Sequence, residues 1–341
     1  MSDLILSVLD QSPVRKGGTA AQGIAETLEL ARLCDELGYH RYWLSEHHGT
    51  GLASASPEIL IGQIASQTKT MRIGSGGVML MHYAPLKIAE QFRMLETLFP
   101  GRIDLGVGRA PGSDTRTARA LADGHAMTDV DRYPEQVMDV YGFMSGSLPP
   151  DHPYYGIKAQ PTGDALPEMW MLGSSRASAR YAAELGWAFC FAHFISTEGP
   201  ETVLKEYEAA FEPSPFLAKP RTAMGVSVTC AETFEQAEYL SWSRWGSRVV
   251  TRARGQQGAG IITPEEAMAI DYTEPELDYL AYLRQTYIHG DPGTVRGRLE
   301  DLAADYGTNE LLLVTITYDF EARKDSYRLL ANEFGLTPSS Q

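Results

Sequence analysis

The sequence predicts an α/β fold, a closed (β/α)8 TIM barrel with a long insertion before the last strand. The chain has 341 residues, a length that α/β barrels use as one domain. Short β-rich runs alternate with longer helical patterns from one end to the other, which is typical of βα units around a parallel sheet. There are eight such runs, and that number favours a closed barrel over an open doubly wound sheet.

The predicted strands are short runs of apolar, β-branched and aromatic residues. They cover residues 4–9, 41–45, 71–76, 103–107, 168–173, 187–192, 223–230 and 310–317. The helices show apolar residues at helical spacing, with prolines such as Pro57 at their starts and Gly38 as a stop. They cover residues 19–38, 57–69, 86–99, 131–145, 176–186, 199–212, 233–252, 275–287, 292–305 and 321–334.

Two connections are unusually long, residues 108–167 after the fourth predicted strand and residues 231–309 before the eighth. The second is the insertion, and its segment 252–267 is rich in Gly, Gln and Arg with almost no large apolar residue. Long segments inside a compact domain are often lids or binding loops, but a surface loop without a role in binding is equally consistent with the sequence. We predict a single domain over residues 1–341.

Composition excludes several classes of function. The chain has 29 basic and 44 acidic side chains and a formal net charge of −15, which argues against a nucleic-acid partner. No apolar run reaches the length of a membrane span, so we expect no membrane partner. The cysteines Cys34, Cys190 and Cys230 show no CxxC spacing, which predicts buried, reduced thiols in a cytoplasmic protein.

Catalytic residues of such barrels lie just after the strands, so polar residues at those positions are the candidates. They are Asp10, Gln11 and Ser12; Glu46, His47 and His48; Gly76, Gly77 and Met79; Gly108 and Arg109; Ser174 and Ser175; and His193 and Phe194.

The turn after the fifth predicted strand, Gly173–Ser174–Ser175, is a candidate phosphate site, with Ser178 one helical turn later. A helix start binds anions through its unpaired N–H groups and its macrodipole. An ordinary N-cap serine is the commoner reason for such a serine. Arg109, one strand away, favours the phosphate interpretation, whereas the GxGxxxG spacing around it does not fit a dinucleotide fingerprint.

The adjacent histidines His47 and His48 point to opposite sides of an extended segment, so one site can use only one of them. No metal-ligand spacing accompanies them, and the sequence indicates no metal site. A strand-end histidine beside Glu46 suits a general base or proton donor, although a structural histidine bonded to backbone is comparably well supported. We expect His152 and His289 to be solvated loop residues.

The ordered segments LSVLDQSPV, GYHRYWLSEHH, RIGSGGVMLMHYAPLKIAEQF, PGRIDLGVGRAPG and MWMLGSS resemble the bacterial luciferase-like family of flavin-dependent monooxygenases, in particular its single-chain group. The resemblance runs from about residue 4 to residue 335. It implies a (β/α)8 barrel that binds flavin mononucleotide (FMN) at the strand C-termini and commonly forms a dimer.

The same resemblance implies roles for individual residues. His47 matches the histidine proposed as a base near the flavin C4a-oxygen chemistry, and Arg109 matches an arginine that holds the flavin phosphate. Gly76 and Gly77 match small residues, often joined by a non-proline cis peptide, against which the isoalloxazine ring packs. The other expected site residues are Met79, Ser174, Ser175 and Ser178 for the cofactor and His193 and Phe194 for the substrate.

The implied function is a monooxygenase that receives reduced FMN from an NAD(P)H-dependent flavin reductase and oxidises a small organic substrate with O2 through a C4a-peroxyflavin. Two alternatives stay open, an F420-dependent hydride-transfer oxidoreductase and a non-catalytic flavin-binding protein. The substrate is not predicted, because pocket shape depends on the variable segments 111–130, 150–165 and 250–262.

Overall fold

Eight parallel strands close into a barrel in the computed structural model, which describes residues 4–49, 51–110, 112–121, 132–196, 199–255 and 258–338. The described strands are β1 (Ile5–Asp10), β2 (Arg41–Leu44), β3 (Arg72–Ser75), β4 (Val78–Met79), β5 (Ile103–Gly108), β6 (Glu168–Gly173), β7 (Ala188–Ala192), β8 (Thr222–Cys230), β9 (Ile288–Gly290) and β10 (Glu310–Val314). The barrel order is β1-β2-β3-β5-β6-β7-β8-β10, and β10 closes the ring by pairing with both β8 and β1. The predicted TIM barrel is confirmed, and its eight strands are the eight predicted ones.

Helices lie between the strands, as predicted. They are α1 (Ala20–Leu37), α2 (Pro57–Ala65), α3 (Pro85–Leu98), α4 (Thr115–Leu121), α5 (Tyr133–Ser145), α6 (Arg176–Glu184), α7 (Pro200–Ala210), α8 (Phe234–Ala253), α9 (Pro264–Met268), α10 (Glu274–Thr286), α11 (Pro292–Tyr306) and α12 (Phe320–Phe334). The first begins with a capping box between Thr19 and Gln22 and ends at Gly38, whose φ of 88° favours glycine. Residue 131, the start of one predicted helix, lies outside the described residues.

Apolar side chains form one layer between strands and helices and another inside the barrel. The inner layer includes Trp43 and Trp170, whose rings meet edge to face with centroids 5.2 Å apart. Because this layer fills the barrel, it is a packed core and leaves the strand ends as the place for a site.

A cluster of ion pairs lies at the N-terminal ends of the strands. Arg41 is fully buried and contacts Asp104 at 2.7 Å and Glu310 at 2.5 Å. Burial raises the pKa of Asp104, but the charges of Arg41 and Arg72 outweigh it and hold that pKa below its usual value. The cluster joins strands β2, β3, β5 and β10 at this end of the barrel.

The insertion 231–309 contains α8 to α11 and β9. Its loop is joined to the segment after β1: the amide of Lys16 donates to the carbonyl of Ile261, and the amide of Ile261 donates to the carbonyl of Val14, both at 2.8 Å. No helix in the described ranges has the length and apolar character needed to cross a membrane.

The expectation that His289 is solvated is wrong. Its side chain is buried between Phe234 and Trp245, with ring centroids 5.1 and 5.2 Å away, because β9 pairs with the C-terminal end of β8 and α8 packs against both strands. The same expectation for His152 is also wrong, since this half-buried ring lies 3.1 Å from a carboxylate oxygen of Asp139.

Candidate active site

A cavity of about 410 Å³ opens at the C-terminal ends of the barrel strands. Most of the site residues expected from the sequence line it, namely His47, Gly76, Gly77, Met79, Arg109, Ser174, Ser175, Ser178 and Phe194. His193 does not line this cavity; its ring contacts Phe191 edge to face, with centroids 6.5 Å apart. His193 and Phe194 are consecutive residues of a short 3-10 helix, His193–Ile195, and of these two only Phe194 lines the cavity.

One end of the cavity is built from β5, β6 and the start of α6. Arg109 directly follows β5, and the hydroxyl of Ser178 donates to the carbonyl of Ser175 at 2.8 Å. Ser175 is the N-cap of α6 and also lines the cavity. Its role as a helix cap is therefore compatible with the predicted phosphate site. A Cβ on Gly173 would lie 1.9 Å from the Ser178 hydroxyl, so only glycine lets strand and helix approach this closely. Arg109 and the residues at the start of α6 thus line the same cavity, and a helix start with an arginine is a typical combination of anion donors.

A flat wall of backbone follows β3. The peptide bond between Gly76 and Gly77 is cis. A Cβ on Gly76 would lie 2.6 Å from Leu9 Cδ1, and one on Gly77 would lie 2.8 Å from the carbonyl oxygen of Gly106. Since neither position has room for a side chain, this part of the cavity wall consists of backbone, which allows a ligand to approach closely.

His47 lies at the cavity with its ring half-buried. Burial lowers its pKa to about 4, and the positive charge of Arg244 contributes in the same direction. The ring is therefore neutral near pH 7 and can accept a proton.

The neighbouring Glu46 is engaged away from His47. Its carboxylate accepts hydrogen bonds from the backbone N–H of Met79 at 2.9 Å and from the hydroxyl of Tyr83 at 2.7 Å, and it lies 2.7 Å from Nε2 of His48. Glu46 thus fixes the turn after β3 and orients His48, which does not line the cavity. The two adjacent histidines face different surroundings, as the extended segment predicts.

Sequence reasoning missed two arginines of the cavity, Arg244 and Arg248, which lie one turn apart on α8. Nε of Arg244 donates to Tyr287 Oη and its Nη2 donates to Gln11 Oε1, both at 3.1 Å. Arginines at this spacing are usually solvated, and only the apolar residues around them, such as Trp245 and Val249, signal that this face is buried.

The loop of the insertion contributes Gly258, Ala259, Gly260 and Ile261 to the cavity wall. This part of the loop therefore forms a boundary of the site, which supports the first of the two interpretations left open by its sequence. Residues 256 and 257 of the same loop, and 111 and 122–131 of the other long connection, lie outside the described residues.

Comparison with known proteins agrees with this architecture. The profile of the family described as luciferase-like monooxygenase matches residues 5–310. A protein of Escherichia coli (strain K12) named luciferase-like monooxygenase is 38% identical over 328 residues, 96% of this chain and 96% of that protein. The N-acetyl-S-alkylcysteine monooxygenase of Bacillus subtilis (strain 168) is 37% identical over 330 residues, 96% of this chain and 97% of that protein.

Solved structures share the fold. That of apo-MsnO8 is 36% identical, covers 98% of this chain and 100% of that chain, and has a TM-score of 0.88. Two structures with lower identity share the fold alone. One is the oxygenating constituent of 3,6-diketocamphane monooxygenase of Pseudomonas putida with FMN, at 21% identity, 100% and 99% coverage and a TM-score of 0.70. The other is an F420-dependent secondary alcohol dehydrogenase, at 16% identity, 96% and 98% coverage and a TM-score of 0.69.

Proposed function

Because this chain belongs to the family of luciferase-like monooxygenases, we propose that it uses reduced FMN and O2 to oxidise a small organic substrate through a C4a-peroxyflavin. One observation carries the proposal: a phosphate-type site, a flat backbone wall and a neutral histidine line a single cavity. The flavin would supply the redox chemistry, and the protein would supply binding, orientation and proton management.

The residues present fit FMN. Arg109 and the N-terminus of α6 would hold the phosphate, with Ser174 and Ser175 as further donors. Gly76 and Gly77 would receive the isoalloxazine ring, because both line the cavity with backbone alone and no side chain stands in the way. Met79, whose amide is fixed by Glu46, would border the same ring.

His47 would act as a proton acceptor and donor beside the reacting atoms. Its ring is neutral near pH 7 because burial and Arg244 hold its pKa at about 4. The apolar walls around Leu172, Phe194 and Ile261 would exclude water from the reaction.

The second candidate is F420-dependent hydride transfer. The phosphate turn does not separate the two cofactors, since both carry a phosphate on a ribityl chain, and the fold is common to FMN-dependent and F420-dependent enzymes. Parallel titrations of the protein with reduced FMN and with reduced F420, followed by the tryptophan fluorescence of the protein, distinguish the two cofactors. Saturable binding of FMN together with weaker binding of F420 supports the proposal; binding of F420 alone would overturn it.

The proposed partners are a reductase and a second copy of the chain. A separate NAD(P)H-dependent flavin reductase would supply reduced FMN. A homodimer is supported by exposed apolar side chains on the neighbouring helices α2 and α3, with Ile59 70%, Met94 49% and Leu98 60% exposed. Light scattering on the purified protein tests the dimer, and a mass near the 37.5 kDa of one chain would overturn it.

The proposed location is the cytoplasm. The buried free thiols of Cys34, Cys190 and Cys230 suit its reducing environment.

The relative from B. subtilis suggests N-acetyl-S-alkylcysteines as the first substrates to assay. Substrate-dependent O2 consumption in the presence of reductase, NAD(P)H and FMN is the readout.

A further inference from the structure

The cavity has a second cationic region, separate from the candidate phosphate site. Arg244 and Arg248 of α8 both line it. Among the described lining residues the only acidic side chain is Glu46, whose carboxylate is already engaged by Met79, Tyr83 and His48. The described cavity therefore contains more positive than negative charge.

Arg244 is buried without a carboxylate partner in the described part of the chain. Only 8% of the residue is exposed, and within the described residues its guanidinium donates hydrogen bonds to two neutral acceptors, Tyr287 Oη and Gln11 Oε1. A guanidinium stays charged in proteins, and a buried charge is unfavourable unless it is paired. Burial and the nearby charge of Arg248 both lower the pKa of Arg244, which indicates the same imbalance.

The two neutral acceptors hold the guanidinium in a defined orientation. Arginine has five N–H donors, and Arg244 uses one on Nε and one on Nη2 in these contacts. The N–H groups that remain are on Nη1 and Nη2, which together form the end-on fork. This fork matches the two oxygens of a planar carboxylate.

This region lies across the barrel mouth from the phosphate-type site. Gln11 directly follows β1, whereas Ser174 and Ser175 directly follow β6, and these strands are four positions apart in the closed ring of eight. Arg244 instead acts on His47, whose pKa it lowers. An anion bound here would therefore lie on the His47 side of the cavity.

We propose that Arg244, assisted by Arg248, is a binding subsite for the carboxylate of a small organic substrate. Gln11 and Tyr287 are positioning residues that orient the guanidinium. The identification of the occupant as substrate rests on the proposed function, because FMN would fill the Arg109 end. A molecule whose carboxylate binds here would share the cavity with His47 and the Gly76–Gly77 wall.

The test uses benzoate and its uncharged analogue benzamide, titrated calorimetrically into the protein with and without bound FMN. We expect benzoate to bind at least about tenfold more tightly than benzamide, because a charge-assisted bidentate contact is lost in the amide. Equal affinities, or no binding of benzoate, would overturn the proposal.

Two reciprocal variants locate the anion. Arg244→Gln should weaken benzoate binding about tenfold or more and leave FMN affinity unchanged, whereas Arg109→Gln should weaken FMN binding and leave benzoate unchanged. Benzoate binding that survives in Arg244→Gln but is lost in Arg109→Gln would place the anion in the phosphate site and refute the subsite. Arg248→Gln, at a half-buried position, should also lower benzoate affinity, and it serves as the test if Arg244→Gln does not fold.

The failures of the two proposals are distinguishable. If FMN does not bind but benzoate is preferred over benzamide in an Arg244-dependent way, the FMN proposal fails and the anion subsite stands. If FMN binds and no such preference exists, only the subsite fails.

Discussion

Arg109 and His47 line the same cavity, but we expect their substitution to affect different properties, FMN affinity for Arg109 and turnover for His47. Arg109 is half-buried at the end of β5, beside the start of α6. We expect Arg109→Ala to reduce FMN affinity about tenfold to a hundredfold, because a charge-assisted phosphate contact is lost. Equilibrium titration of the protein with FMN measures it.

The matched control is Arg180→Ala, which removes an exposed arginine paired with Glu184 on α6. It should leave FMN affinity unchanged, and both variants should unfold at the temperature of the parent protein within a few degrees. Unchanged affinity in Arg109→Ala would remove the phosphate assignment.

His47→Ala is expected to slow turnover by about a hundredfold to ten-thousandfold with little change in FMN affinity, since the ring handles a proton and does not hold the phosphate. Turnover is followed by substrate-dependent O2 consumption in the presence of the reductase. Normal turnover in this variant would show that His47 has no catalytic role.

The lowered pKa of His47 also predicts a dependence of stability on pH. The unfolded chain takes up a proton near the ordinary value of 6.5, but the folded protein does so only near about 4. Between these values the unfolded state binds more protons, so the His47 contribution makes the protein less stable as the pH falls. Urea unfolding measures the free energy of unfolding at about pH 7 and about pH 5. The decrease between the two pH values should therefore be smaller in His47→Ala than in the parent protein. An equal or larger loss in the variant would contradict the assigned pKa.

The glycine between β6 and α6 controls how closely this strand and helix approach each other. A Cβ at Gly173 would lie 1.9 Å from the hydroxyl and 2.3 Å from Cβ of Ser178, so α6 must shift. We expect Gly173→Ala to destabilise the protein by about 1–3 kcal/mol and to weaken FMN binding, because the helix start moves relative to Arg109. Urea unfolding and FMN titration measure the two effects.

Gly297→Ala in α11 is the matched control, because nothing lies within 4 Å of the added methyl group. It should leave FMN affinity unchanged and be neutral or stabilising by up to about 1 kcal/mol, since alanine favours the helix. Equal effects of the two substitutions would refute the packing argument at Gly173.

Elements with strong local signals were predictable from the sequence. The barrel strands carry continuous apolar runs, and α1 carries both its capping box and its terminal glycine. β4 and β9 were missed because two and three residues carry no periodicity. The short helices α4 and α9 were missed for the same reason, with seven and five residues.

The candidate site was predictable where it follows directly from strand ends, as for His47 and Arg109. The site was not predictable where its residues come from segments distant in sequence from the strand ends. Arg244 reaches the cavity because the insertion packs α8 across the barrel mouth, and His289 is buried by the same packing. Both depend on long-range contacts that one sequence does not display.

We expect the two ends of the barrel to serve different functions, folding stability at the N-terminal end and cofactor binding at the C-terminal end. Arg41 and its partners Asp104 and Glu310 lie at the N-terminal end, whereas the cavity lies at the C-terminal end. We expect Arg41→Met to cost about 3–5 kcal/mol of folding stability, because the buried carboxylates of Asp104 and Glu310 both lose the charged group that they share. FMN affinity of the folded protein should not change, as the substitution lies on the far side of the core.

Thermal unfolding and FMN titration of this variant test the division between the ends. Loss of FMN affinity in protein that is still folded would show that the two ends are coupled. Unchanged stability would show that the ion cluster does not support the barrel.

The reaction of bound reduced FMN with O2 decides whether this protein is an FMN-dependent monooxygenase. The anaerobic complex of the protein with reduced FMN is mixed with an O2-containing solution, and flavin absorbance is recorded over time. We expect bound reduced FMN to react with O2 through a long-lived oxygenated species, whose decay to oxidised FMN is slower than the reoxidation of free reduced FMN. Reoxidation at the rate of free flavin, or no binding of reduced FMN at all, would refute the proposed FMN-dependent function.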